Sequence, residues 1–189
     1  MSGQPDTSQD TIAAHLRELH EARARAEIMA ADALAPGSDR VAPRGALMAG
    51  IAAVKGLPGP AEASGGAAMS GADGVALAKA LAALGWDADT VFYTLSRPER
   101  GIEPARRADR LRLQIEAVDP KVIVALDAES AEDIAEAFGC APLRPGTPVR
   151  VLGRRLIAVD GFEPSLADEK RKRRVWDQLK AARAEGPVY

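Results

Sequence analysis

Residues 115–126 read Ile115-Glu116-Ala117-Val118-Asp119-Pro120-Lys121-Val122-Ile123-Val124-Ala125-Leu126. The last six open on one lysine and continue as an unbroken apolar run rich in β-branched residues, the pattern of a strand buried on both faces. Ahead of it, 104–118 opens on Pro104 and places Leu111, Ile115 and Val118 at helical spacing. Behind it stands Asp127, a good N-cap residue, and 128–138 reads as the next helix. Helix, buried strand, helix is the repeating unit of a parallel sheet covered on both sides.

The flanks continue the pattern. Gly45 to Val54 predicts a second buried strand, and Thr90 to Leu95 a third. Val149 to Leu152 and Arg155 to Val159 predict a short hairpin or strand pair around Gly153-Arg154. Leu77, Leu81 and Leu84 mark a helix over 75–84, and 166–184 reads as a final basic helix. Between them, Lys55-Gly56-Leu57-Pro58-Gly59-Pro60 and the Gly-, Ser- and Ala-dense 61–74 predict a long flexible loop after a strand. In doubly wound sheets ligands bind at such loops. Residues 1–9 are polar and predict a disordered tail; 10–36 predicts an amphipathic N-terminal helix, capped by Asp10 or Thr11 and ended by Pro36-Gly37. The fold expected is a three-layer α/β/α sandwich with a central four-stranded, mostly parallel sheet over 44–182.

Bulk composition excludes several function classes. With 47% hydrophobic and 28% charged residues the chain of 189 has the balance of a globular domain. A net charge of −2 provides no global field toward nucleic acid, so any such binding needs a local basic patch. The single Cys140 excludes an internal disulfide and the usual multi-cysteine zinc or iron–sulfur sites. His15 and His20, five apart, share a helix face poorly, so neither a metal nor a cofactor is expected. No apolar run approaches the roughly 18 residues of a membrane span, which predicts no membrane association and a cytoplasmic location.

The segment 115–126 resembles one stretch of the uracil-DNA glycosylase superfamily, in its bacterial family 4 and 5 members, where "DPKVIVALG" lies between two helices. Here Asp127 takes the place of the final Gly. Upstream, Pro58-Gly59 and Gly71-Ala72-Asp73-Gly74 are similar to the family's GEAPG loop and FVGxAG turn, with no gap between them. Downstream, Gly161-Phe162-Glu163-Pro164-Ser165-Leu166, Lys170 and Trp176-Asp177-Gln178-Leu179 are similar to its HPS loop and its K…W.DL helix. The resemblance covers roughly residues 44–182.

The resemblance implies a groove that accepts a flipped base and a fold that hydrolyses its N-glycosidic bond. That chemistry needs one group to place water and a donor to stabilise the departing uracil anion. Here the acidic position of the GEAPG loop is Gly56, which has no side chain to hold a water. The stacking aromatic is Met69, and the histidine of HPS is Glu163, which repels a developing anion. The pyrimidine-reading Asn and the four cluster cysteines are absent. The resemblance therefore implies a protein that has lost ordinary uracil excision and binds DNA or a nucleotide-like ligand in the inherited groove. Pro58-Gly59, Pro164-Ser165 and the basic run Lys170-Arg171-Lys172-Arg173-Arg174 would hold phosphate. Arg97, with Arg100, Arg106, Arg107 and Arg110, forms a second basic region, whose plainer reading is a solvated surface. One alternative is an active glycosylase in which Glu62 or Glu163 positions water. Another is a protein-interaction module working through the N-terminal helix.

Overall fold

Val122–Ala125 forms a strand buried at every residue, as its composition predicts. It lies at the centre of a computed structural model that describes residues 7–87 and 90–183. The elements are α1 (Thr7–Asp32), β1 (Arg44–Gly45), β2 (Ile51–Lys55), α2 (Pro60–Ala63), α3 (Ala72–Ala83), β3 (Val91–Leu95) and α4 (Pro104–Val118). They continue with β4 (Val122–Ala125), α5 (Ala128–Phe138), β5 (Val149–Val151), β6 (Arg154–Ala158), α6 (Phe162–Ser165) and α7 (Glu169–Arg183).

The sheet has six strands rather than the expected four, in the order β1-β3-β2-β4-β6-β5. The four central strands are parallel, and the two short edge strands run antiparallel to their neighbours. The difference comes from the edges. The strand expected over 45–54 is broken after Gly45, which has φ +105 and packs against the Val91 carbonyl, and the chain re-enters the sheet at Ile51. At the other edge Leu152 and Gly153 take φ of +49 and +78, the two-residue hairpin geometry whose twist suits adjoining strands.

One face of the sheet carries α3 and α7, with Leu77, Leu81, Val175 and Leu179 packed on Ala53, Val124 and Ile157. The other carries α4 and α5, with Leu111, Ile115 and Ile134 packed on Val54, Ile123 and Leu156. Asp127 caps α5 by accepting from Ser130 N–H at 2.8 Å. The expected final helix starts later than 166: α7 opens at Glu169, where Asp168 accepts the amides of Lys170 and Arg171, and a separate short turn, α6, precedes it.

Residues 1–6 of the expected tail lie outside the described residues, while Thr7–Gln9 already belong to α1. Ala24, Ile28 and Ala31 of α1 are buried, whereas Ile12, Leu16 and Leu19 face solvent, so only its second half lies on the domain. No helix among the described residues is long and apolar enough to cross a membrane.

The strand order positions the site. From β2 the chain moves to β3 on one side, then crosses back to β4 on the other. Such a reversal leaves a crevice outside the carboxyl ends of the two central strands.

Candidate functional site

Lys55 is the last residue of β2, and with Ile51 and Ala53 it points to the α3/α7 side of the sheet. A lysine there must find carboxylates, because an unpaired buried ammonium is prohibitively costly. It is 5% exposed, and its Nζ lies 2.7 Å from Asp73 Oδ2, 2.7 Å from Glu163 Oε2 and 3.8 Å from Glu62 Oε2. Each carboxylate arrives from a different element: Asp73 from the first turn of α3, Glu62 from α2 and Glu163 from α6. Burial works against the Lys55 charge, but the hydrogen bonds to Asp73 and Glu163 outweigh it and hold its pKa above the ordinary lysine value.

The cluster forms one wall of a cleft of about 210 Å³ at the crevice between β2 and β4. Leu57, Pro58, Met69, Leu126 and Phe162 give it apolar walls, and Pro164 closes one side. Through Asp127, Glu129 and Pro164 it adjoins a groove of about 1030 Å³ between α5 and α7, lined on the α7 side by Arg171 and Arg174.

The predicted site residues do come to this edge of the sheet, in roles that differ from those expected. Glu62 is not in a mobile loop. It is 4% exposed, accepting from Gly59 N–H at 3.0 Å and from Met69 N–H at 2.8 Å. Those two bonds help fix the segment expected to be a loop, which instead forms α2, a turn and the start of α3. Met69 lines the cleft but is held in a left-handed conformation, φ +54, with its carbonyl bonded by Arg44. A non-glycine residue in that region costs energy and persists only where its surroundings enforce it.

At Gly56 and Gly59 a side chain would meet close neighbours. A Cβ at Gly59 would lie 2.6 Å from Lys55 Nζ, and one at Gly56 would lie 2.5 Å from Glu129 Cβ. The Gly59 amide is already given to Glu62, and the Gly56 amide to Asp127 at 2.9 Å.

Around the expected phosphate-holding residues, the polar groups bond internally. Ser165 is buried and donates through Oγ to Phe162 O at 2.6 Å. Lys170 and Arg171 donate their amides to Asp168 Oδ1 at 2.8 and 3.1 Å, which holds the Asp168 carboxyl below its ordinary value, the Arg171 amide contributing most. Both residues remain exposed, and of the two Arg171 lines the adjoining groove.

The second basic region is not a solvated patch at its centre. Arg97 clamps the buried Asp133 at 2.9 and 3.0 Å and also reaches Glu132, while Arg107 lies 3.0 Å from Asp133. Arg110 is fully buried against Asp32 of α1.

Lys55 and Asp73, which line the cleft, are not among the site residues expected from the sequence. The available signal is the lysine closing the apolar run 51–55, a strand position that faces the core. Among the described residues no group of His, Cys, Asp and Glu is arranged to hold a metal ion. No protein-family model matches the chain, and no curated protein matches it.

Proposed function

We propose that this chain is a uracil-DNA glycosylase-like protein without base excision, binding DNA or a nucleotide-like ligand at the carboxyl edge of its sheet. The observation that carries the loss of chemistry is the engagement of Glu62, together with a second carboxylate, Glu163, standing where the family has a histidine donor. A general base must present a lone pair to water within hydrogen-bond reach. Glu62 is buried with a backbone amide on each oxygen, whereas Glu163 is held through Oε2 alone, on the Lys55 ammonium. With Glu163 seated on Lys55 at 2.7 Å, the one cation among the described residues that line the cleft is already taken when a uracil anion departs.

Support for binding comes from the cleft's continuity with the α5/α7 groove, where the exposed Arg171, and Arg174 once it leaves Asp160 at 2.6 Å, offer cations to a phosphodiester. The direct test is uracil release from a short single-stranded oligonucleotide, with protein in excess. No release is expected, and release would overturn this reading. In fluorescence anisotropy the wild type should bind that strand, and Arg171→Ala with Arg174→Ala should weaken binding and flatten its salt dependence. The slope of log K against log salt should fall by about 0.7 for each phosphate that is no longer neutralised.

The protein-interaction reading draws on the exposed Ile12, Leu16 and Leu19 of α1. Unchanged affinity and salt slope in the arginine variants would favour it.

A further prediction concerns Gly56, where the family pattern has an acidic residue. Gly56→Glu should not create excision, because α5 has closed on the space such a side chain needs. It should instead destabilise the fold by about 1–3 kcal/mol, the usual cost of overpacking. Chemical denaturation beside the oligonucleotide assay reads both outcomes.

A further inference from the structure

The three carboxylates around Lys55 differ in how firmly each is held. Asp73 is buried, with one oxygen on Lys55 and the other accepting the Gly74 amide at 2.8 Å. Glu62 is fixed by two amides and stands 3.8 Å from the ammonium. Glu163 is the exception. Its side chain is 44% exposed, and among the described residues Lys55 is its carboxylate's only partner.

We propose that Lys55 is an oxyanion-binding site and that Glu163 is its exchangeable internal occupant. A small carboxylate or a phosphate entering the cleft takes the place of Glu163 Oε2 on Lys55 Nζ, and Glu163 turns out to water. The exchange replaces one anionic oxygen by another, so the charge facing the ammonium is conserved. The firmly held Asp73 keeps the ammonium in place while its other partner changes. The space is adequate for a small ligand, at about 210 Å³, and the apolar walls formed by Leu57, Met69, Leu126 and Phe162 exclude competing water. With its pKa raised, Lys55 itself stays protonated throughout the neutral range. This site does not depend on nucleic-acid binding.

The test uses the full chain, titrated at constant ionic strength with sodium formate and, separately, with inorganic phosphate, and followed calorimetrically and by the 15N signal of the Lys55 ammonium. Glu163→Ala should bind at least one of the two anions at least tenfold more tightly than the wild type. Glu163→Gln, which keeps the shape but offers a neutral oxygen, should gain at least threefold. A preference for formate assigns the site to carboxylates, and one for phosphate assigns it to phosphates. The Lys55 signal should shift on binding. If neither variant, folded by circular dichroism, binds either anion more tightly than the wild type, or if binding leaves the Lys55 signal unmoved, the proposal fails.

Discussion

Lys55→Met is expected to be among the most destabilising single substitutions in this protein, costing about 3–5 kcal/mol. The reason is asymmetry. The ammonium is 5% exposed and is the one cation within 4 Å of Glu62, Asp73 and Glu163 among the described residues. Removing it leaves buried carboxylates whose charge has no compensating partner, and their mutual repulsion adds to the loss. Against a typical total of about 5–15 kcal/mol, the change takes a large share of the stability. Urea denaturation gives the magnitude, and a cost below about 1 kcal/mol would show that the cluster is not coupled to folding. The contribution also has a defined pH range. Because the pKa of Lys55 is raised on folding, the cluster stabilises fully below the unfolded value near 10.5. It is lost as the pH rises through the higher folded value. The stability gap between wild type and variant should therefore stay wide at neutral pH and narrow only in strongly alkaline buffer.

The same cluster shows where reading the sequence reaches its limit. Periodicity locates the parallel core, and the bounds of α4 and α5 match the expected 104–118 and 128–138 because Pro104 and Asp127 mark their starts chemically. Strand pairing at the edges is less legible. A two-residue strand such as β1 has no period of its own, and its existence depends on how Gly45 packs against β3. The segment 61–74 reads as flexible because its composition is. Its order comes from two side chains: Glu62, which captures the amide three residues before it and the amide seven residues after it, and Arg44, which donates to the Ala68 and Met69 carbonyls. Longer pairings, such as those that bring Asp73 of α3 and Glu163 of α6 to Lys55 of β2, lie beyond what hydrophobic pattern can carry. In the candidate site the loop residues Pro58, Gly59, Met69 and Glu163 fall at the expected edge of the sheet. The ammonium that organises them is hidden in the sequence as the end of an apolar run.

A second buried charge links α1 to the domain, and its loss should be as costly. Arg110 of α4 is 0% exposed; it donates through Nε to Asp32 Oδ1 at 3.0 Å and through Nη1 to Leu95 O at 2.9 Å. Asp32 also accepts from Gln114 Nε2 at 2.7 Å, and Gln114 Oε1 accepts from Thr94 Oγ1 at 2.7 Å. Burial drives the Arg110 pKa down, and the Asp32 charge opposes that shift. Asp32→Ala therefore strands a guanidinium in the core and leaves a Gln114 donor unpaired, for an expected loss of about 3–5 kcal/mol. The first half of α1 packs little, and a helical segment as short as that half is marginal without tertiary contacts. Weakening its anchor should expose Arg17, Arg23 and Arg25 to trypsin well before the core unfolds. The pair is also a test of what buried charge contributes. Replacing both partners, as Asp32→Leu with Arg110→Met, removes the stranded charge and substitutes apolar packing, so most of the loss should be recovered. A double variant no more stable than Asp32→Ala would mean that the geometry of this network, through Gln114 and Thr94, specifies how α1 docks, and that apolar volume cannot replace it.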